Sequence, residues 1–180
     1  MLAHLPLEDK VNAVDAIHWT NVIKVVVGLE TGEVLLWTLS FPDAGQSGAI
    51  EEVDRKSLLR HEDELMAVRF NKVGSKCASC GLDRNLIVCD IDTGMILFRK
   101  ELSSGLICMD WSPRGDLLYL GDSTGFLHVW SMTVGETKCK KKIFNGPITC
   151  VTASRGDSRV VAAGVEFNEF LVKGLVIAST

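Results

Sequence analysis

Residues 65–94 read LMAVRFNKVGSKCASCGLDRNLIVCDIDTG, which is three short apolar segments separated by Asn, Gly, Ser and Asp residues. Residues 106–135 repeat this layout as LICMDWSPRGDLLYLGDSTGFLHVWSMTVG. An earlier copy begins near Ala13, and a later one begins at Ile148. Copies that recur about every forty residues are typical of a stacked array in which each copy is one supersecondary unit. Arrays of this kind typically bind partners.

The copies can be aligned on the residue that ends their first apolar segment. The residues at that position are Trp19, Phe70, Trp111 and Ala153. The same alignment brings two cysteines and two alanines to one position: Cys108, Cys150, Ala16 and Ala67. Because that position alternates between Ala and Cys, we expect a small buried side chain there, and not half of a disulfide.

Each copy divides into segments of strand length. In the third copy the predicted strands cover residues 107–111, 117–120, 126–130 and 137–144. Short strands with Gly, Pro, Asp and Ser turns predict an all-β assembly. Runs that are apolar throughout, such as residues 25–27, suit strands covered on both faces, as in the blades of a β-propeller. Only residues 51–59 leave room for a short helical turn.

The second copy resembles the WD40 repeat family. His61, Ser79, Asp83 and the pair Cys89-Asp90 stand where that family places its His, its Ser or Thr, its Asp and its Trp-Asp. The resemblance implies a buried structural network of His61, Ser79 and Asp83. Cysteine is a poor hydrogen-bond donor, so Cys89 should end that network at Ser79.

The other copies depart further from the WD40 pattern. Copy one ends in Trp37-Thr38 and copy three in Trp130-Ser131. Both carry threonine, Thr31 and Thr124, at the Asp position. We therefore expect the polar network only in copy two, and blades one and three to depend on packing.

The predicted fold is all-β, with WD40-like β-propeller blades, about three complete and one incomplete, forming part of a larger propeller. The predicted segments are an N-terminal segment 1–10, repeats 11–43, 59–100 and 101–144, an insertion loop 44–58, an incomplete fourth repeat 145–164 and a divergent tail 165–180. Three interpretations stay open: a shortened product of a longer gene, a fragment completed by further blades from another chain, or a small propeller with the tail as its last strand.

Composition and charge limit the cellular compartments and the nonspecific partners that we expect. The net charge of −4 gives no reason to expect nonspecific attraction to nucleic acid or membrane. No apolar stretch approaches the roughly 18–20 residues that a transmembrane helix needs. The first ten residues lack the layout of a signal peptide. We expect an intracellular protein, cytoplasmic in preference to nuclear, with its six cysteines reduced.

Metal and enzymatic sites find little support. Cys77 and Cys80 have zinc-knuckle spacing, but no second ligand pair accompanies them. On a strand their odd offset also sends the two thiols to opposite faces. The chain has no GxSxG motif, P-loop or strand followed by GxGxxG. We predict no metal, no cofactor and no catalysis.

The loops that connect blades are the predicted binding surface, because in WD40-like proteins they line one rim of the disc. Glu62, Asp63 and Glu64 precede the first strand of copy two and could face a basic peptide. The equivalent loops of later copies add these candidates: Ser103, Ser104, Asn145 and Pro147. The predicted function is a protein–protein interaction scaffold within a multiprotein complex.

A basic run favours one alternative. Lys138, Lys140, Lys141 and Lys142 could contact phosphates or serve in nuclear import, although no aromatic residues interleave with them to stack bases. An RNA- or ribonucleoprotein-associated factor is therefore the second hypothesis. Lysines on an outer strand that discourage edge pairing are the simpler interpretation. A truncated product without independent function is the third hypothesis.

Overall fold

The computed structural model of the protein describes residues 7–41, 50–154, 159–166 and 169–176. Within these ranges the chain forms antiparallel sheets that follow one another in sequence, each built from consecutive strands. Sheets 1, 2 and 3 have four strands and sheet 4 has three. This is the all-β, blade-like architecture that the sequence predicts.

The strand bounds are as follows. Sheet 1 contains β1 (Val11–Trp19), β2 (Val22–Leu29), β3 (Glu33–Ser40) and β4 (Glu51–Arg60). Sheet 2 contains β5 (Leu65–Phe70), β6 (Lys76–Gly81), β7 (Asn85–Asp90) and β8 (Ile96–Glu101). Sheet 3 contains β9 (Leu106–Trp111), β10 (Leu117–Asp122), β11 (Phe126–Ser131) and β12 (Glu136–Lys142). Sheet 4 contains β13 (Ile148–Ala153), β14 (Arg159–Glu166) and β15 (Glu169–Val176).

The same irregularity recurs at the start of every first strand. One residue is skipped in the pairing of first and second strands, a β-bulge that fixes the register of each sheet. The residues directly after the bulge are Ala13, Ala67, Cys108 and Cys150. This register corrects the sequence alignment, because Ala16, and not Trp19, now matches Phe70.

The alignment failed at β1 because its hairpin is longer than the others. β1 continues to Trp19, which pairs with Val22 beyond the point where β5 and β9 end. A Cβ added at Gly74 would lie 2.4 Å from the Trp19 ring, so this indole covers the β5–β6 turn. The prediction of a small buried residue is right for Ala67 and Cys108 and wrong for Ala16 and Cys150, which are exposed.

Two predicted segment boundaries also change. The predicted insertion 44–58 includes most of β4, so residues 51–58 form an outer strand paired with β3, with no helical turn. Residues 44–49 lie outside the described ranges. The predicted tail contains β15, which pairs with β14 along its length and joins sheet 4. Backbone pairing with the neighbouring strand, and not the repeat motif, identifies both segments as strands.

The hydrophobic core lies between neighbouring sheets. Leu36 and Ile87 belong to a buried cluster between sheets 1 and 2. Val88 and Met109 belong to one between sheets 2 and 3, and Tyr119 to one between sheets 3 and 4. Because adjacent residues of β7 enter different clusters, this strand is covered on both faces, as its apolar run predicts.

Candidate functional site

The connecting loops and the turns between second and third strands meet at one end of the sheets. We call this surface the loop rim; it comprises residues 30–32, 60–64, 82–84, 102–105, 123–125 and 143–147. Three equivalent backbone hydrogen bonds of 2.9 Å join loop to turn: His61 N to Gly32 O, Leu102 N to Arg84 O, and Ile143 N to Gly125 O. The rim is therefore tied to the sheets at regular intervals.

The turn residues that accept these bonds all have positive φ. Gly32 has φ of 84° and Gly125 of 88°, and Arg84 holds the same position at 67°. A Cβ on Gly125 would lie 2.1 Å from Phe144 O, so glycine permits the close approach of loop and turn there. The rim geometry thus depends on backbone conformations that few residues adopt.

The three residues of the predicted network meet beneath the rim of sheet 2. Nδ1 of His61 lies 2.9 Å from Asp83 Oδ1, and its Nε2 lies 2.8 Å from Ser79 Oγ. The Asp83 carboxylate also accepts from Glu62 N and Asn85 N. These bonds connect the loop before β5 to the interior of β6 and to the β6–β7 turn.

Burial assigns the protons in this network. The pKa of His61 is lowered chiefly by burial, which the hydrogen bond to Asp83 opposes. A neutral ring at pH 7 donates from Nδ1 to Asp83 and accepts the Ser79 hydroxyl proton at Nε2. Burial alone would raise the pKa of Asp83, but hydrogen bonds from His61 and Asn85 outweigh it and lower that pKa. Asp83 is therefore the ionised partner.

Sheet 3 contains a second buried network, contrary to the expectation that packing alone holds that blade. Asp122 Oδ2 accepts from Ser104 Oγ at 2.6 Å and from His128 Nε2 at 2.9 Å. Its other oxygen accepts from the backbone of Thr124 and Phe126, each at 2.9 Å. Burial would raise the pKa of Asp122, but the hydrogen bonds, led by that from His128, hold it well below its usual range.

The acidic candidates differ in how far their side chains are exposed. Glu62 and Asp63 are exposed at the tip of the loop, where Asp63 Oδ1 accepts from Glu64 N at 2.8 Å. Glu64 is half-buried, and its Oε1 accepts from Asn12 Nδ2 at 2.7 Å. The Glu64 carbonyl also accepts from Leu82 N at 2.9 Å. Glu62 and Asp63 therefore project from a loop that is fixed on both sides.

The later loops of the rim are more engaged with the protein itself. Ser104 belongs to the Asp122 network, whereas exposed Ser103 accepts from Lys140 Nζ at 2.7 Å. Asn145 Nδ2 lies 3.1 Å from Glu166 Oε1. Pro147 is half-buried, and its carbonyl accepts from Val165 N. These four candidates lie on the rim, but only Ser103 and Asn145 present exposed side chains.

The basic run occupies β12, all of whose residues are exposed. The ammonium groups of Lys140 and Lys142 lie over the Phe126 ring, at 4.6 and 4.9 Å from its centroid. Lys142 also donates to Thr124 O. Half of the basic run therefore packs against its own sheet, while Lys138 and Lys141 make no such ring contact.

Two aspartates accept backbone hydrogen bonds from neighbouring sheets, away from the loop rim. Asp15 Oδ2 of β1 accepts from Phe70 N of β5 at 2.8 Å, and Asp110 Oδ2 of β9 accepts from Ala153 N of β13 at 2.8 Å. Both carboxylates bridge neighbouring first strands. Their repetition at equivalent positions is the pattern of a structural link between blades.

The cysteines of the zinc-knuckle spacing point apart. Cys77 lies in the cluster between sheets 1 and 2, and Cys80 in the cluster between sheets 2 and 3. Burial raises the pKa of the Cys80 thiol. Among the described residues, no three His, Cys, Asp or Glu side chains form a group suited to a metal ion. The described part also has no helix long and apolar enough to cross a membrane.

Comparison with known proteins points to one kind of repeat. No family model matches the chain. It is 24% identical over 163 residues to autophagy-related protein 16 of Arabidopsis thaliana and 28% identical over 110 residues to WD repeat-containing protein 19 of Mus musculus. These alignments cover 87% and 59% of this chain, but only 29% and 8% of the two relatives.

A solved structure agrees with the architecture. The crystal structure of the computationally designed Ika4 protein matches with a TM-score of 0.72 at 20% identity, covering 96% of this chain and 94% of that one. At that identity the match concerns the fold alone. Together with the recurring four-stranded sheets, the sequence relatives identify the chain as a distant homologue of the WD40-repeat proteins.

Proposed function

We propose that the chain is a protein-interaction scaffold whose loop rim docks partners, without catalysis of its own. Homology to WD40-repeat proteins supports a protein partner in general terms. The observation that carries the proposal is the loop before β5, where Glu62 and Asp63 are exposed while the neighbouring backbone is held by Asp83 and Leu82. A loop ordered before binding loses little conformational entropy when a partner docks.

The charge of this loop defines the partner's chemistry. Two adjacent exposed carboxylates favour a segment rich in Lys or Arg, and their field would speed encounter and weaken with added salt. Glu64 contributes less, because Asn12 already occupies its carboxylate. We therefore assign the contact to Glu62 and Asp63, with Ser103 and Asn145 as further exposed positions on the rim.

The test compares charge reversals in two places. Tagged chains 1–180 would be wild type, Glu62→Lys/Asp63→Lys, and the control Glu51→Lys/Glu52→Lys on exposed β4. Partners captured from cell extract are quantified by mass spectrometry. The proposal expects the rim variant to lose a set of partners that the β4 variant keeps. If adding Glu64→Lys to the rim variant still leaves every partner bound, the acidic loop is not the docking site.

The exposure of all of β12 supports a second candidate function, the binding of RNA. Lys138 and Lys141 are the lysines most available for phosphates. Phosphate contacts release counterions, so binding of single-stranded RNA should weaken steeply with salt, and Lys138→Glu/Lys141→Glu should reduce that slope. Anisotropy titration at two salt concentrations tests this. An affinity indifferent to the double substitution would eliminate the candidate.

A further inference from the structure

Sheet 4 differs from its neighbours by one strand. In the described residues β15 has a single neighbour, β14, whereas the third strands β3, β7 and β11 each have an outer strand on their second edge. Those outer strands all pair antiparallel. The second edge of β15 is therefore the place where an antiparallel strand completes the pattern set by the other sheets.

The burial of β15 matches this position. The central residues of β3, β7 and β11 are buried. On β15, Leu171 is 39% exposed and Val172 is 71% exposed. An apolar third strand with one unpaired edge invites strand addition. β15 lacks the dense lysines of β12, which would discourage it.

The sequence of β15 is complementary to itself. Glu169, Leu171 and Lys173 lie on one face, because side chains alternate along a strand. When two copies of the strand run antiparallel with Leu171 opposite Leu171, each Glu169 falls opposite the Lys173 of the other copy. Directly opposite side chains on paired strands lie close enough to interact, and opposite charges there are favourable.

The intramolecular neighbours of these charges define how the pair forms. β14 and β15 pair Glu166 with Glu169, two carboxylates on opposed positions. Lys173 donates to Glu166 and to Ile143 O and lies 4.7 Å from the centroid of the Phe144 ring, so its ammonium already has one carboxylate partner. In a pair of copies, the Lys173 of one chain would therefore be shared between its own Glu166 and the Glu169 of the other chain.

From these observations we propose that two copies of the chain associate through β15, antiparallel, with Leu171 on the twofold axis and Glu169 opposite Lys173. The contact is isologous, so it closes at two copies instead of growing into a fibre. It joins the two three-stranded sheets edge to edge into one continuous sheet. Glu169, Leu171 and Lys173 lie outside the loop rim, but Lys173 donates to Ile143 O of the rim, so Glu169→Lys is the variant that tests the dimer without removing a rim contact.

Charge reversal tests the register. Light scattering after size exclusion measures the mass of chain 1–180 over a concentration series. We expect wild type to dimerise, and both Glu169→Lys and Lys173→Glu to raise the dimer dissociation constant at least about tenfold through like-charge pairs. Mixed in equal amounts, the two variants have opposite charges at both pairs and should form a heterodimer. Circular dichroism checks that each variant keeps the wild-type fold.

The matched control is Glu52→Lys on outer strand β4, which should leave the dimer unchanged. A wild-type chain that is monomeric at every concentration overturns the proposal. So does a dimer that Glu169→Lys leaves intact, or a pair of variants that fails to associate on mixing.

A disulfide trap supplies an independent readout. In a background with exposed Cys139 and Cys150 changed to serine, Leu171→Cys places two thiols opposite each other in the proposed register. Mild oxidation by oxidised glutathione, which is reduced as the two thiols join, should give a covalent dimer on a non-reducing gel. Val172→Cys, which lies on the other face, should cross-link much less. Equal cross-linking at both positions would contradict the register.

Discussion

Sheets 2 and 3 fasten the same loop-to-turn junction with different central groups. In sheet 2 the centre is the imidazole of His61, which lies in the loop and contacts Ser79 on one side and Asp83 on the other. In sheet 3 the centre is the carboxylate of Asp122, at the end of β10, which collects Ser104 and His128. One architecture therefore tolerates two arrangements, provided that a buried group links loop, strand and turn.

The two arrangements differ in how many donors depend on the central group. His61 uses both ring nitrogens. Asp122 accepts two backbone and three side-chain donors, and within the described structure His128 Nδ1 has no hydrogen-bond partner. In sheet 3, removing Asp122 should therefore lower the free energy of unfolding more than removing His128. In sheet 2, removing His61 should have the largest effect.

The largest effect is expected for Asp122→Ala. It leaves the buried His128 Nε2 without its acceptor and removes the hydrogen bonds from Ser104, Thr124 and Phe126 to a buried carboxylate, so we expect a loss of about 4 kcal/mol in the free energy of unfolding. Asp122→Asn keeps one carbonyl oxygen and should cost about half as much. Urea unfolding followed by circular dichroism measures both. Equal stability of the alanine variant and wild type would mean that the network contributes nothing.

The next effect distinguishes the two histidines. His61→Ala leaves the buried Ser79 hydroxyl without its acceptor and removes one of several donors to the buried Asp83 carboxylate, and should cost about 3 kcal/mol. His128→Ala leaves Asp122 with its four other hydrogen bonds and should cost about 1–2 kcal/mol. The comparison is made by urea unfolding under one condition. A larger loss for His128→Ala would reverse the assignment of the centres.

The sequence could predict the first network because its residues follow a familiar order. His61, Ser79 and Asp83 stand at the positions of the WD40 motif, so the resemblance to that family implied that they meet. The second network was missed because Asp122 and His128 stand at positions that the motif leaves open, and only the pairing of β10 with β11 juxtaposes them. The register of the β10–β11 hairpin, which the repeat motif does not specify, supplies the missing information.

The strands, like the networks, were predicted from the sequence only where they follow the repeat pattern. Repeat period and apolar runs predicted the strands of sheets 2 and 3 and the opposite faces of Cys77 and Cys80. They misaligned the first copy, because the β1–β2 hairpin extends to Trp19 and moves the aromatic residue beyond the shared register. They placed β15 in a divergent tail, which only one of the three open interpretations made a strand, because no residue of the repeat motif marks it.

A smaller effect concerns pH. The pKa of His61 is lowered in the folded protein, whereas an unfolded histidine titrates near about pH 6.5. Below that pH the unfolded chain binds a proton that the folded chain does not bind. The free energy of unfolding should therefore fall as the pH decreases from about 6.5. His61→Gln should flatten this slope, and Ser79→Ala, which keeps the imidazole, should retain it. Unfolding curves between pH 7 and 5 measure the slopes.

Asp83 does not contribute in that window. Its pKa is lowered in the folded protein, so its stabilisation is present above the unfolded carboxyl pKa and is lost only as pH falls further, through the folded value. A slope between pH 7 and 5 that survives His61→Gln would therefore come from other groups and would remove His61 as the acid-sensitive element of sheet 2.

The smallest effect tests whether the hydrogen bonds of each network lie in series, or whether several donors converge on one acceptor. In sheet 2 the serine bonds to the histidine itself, so Ser79→Ala should lose most of its cost once His61 is alanine, a coupling of about 0.5–1 kcal/mol. In sheet 3, Ser104 and His128 each donate to the same oxygen of Asp122 and not to each other. When one donor is removed, the remaining one binds a less crowded carboxylate, so Ser104→Ala should cost as much or more in the His128→Ala background.

Two double-mutant cycles of unfolding free energy measure the couplings. Opposite signs would establish that the blades achieve one junction by different physical means, whereas equal couplings would show that the identity of the central group is immaterial.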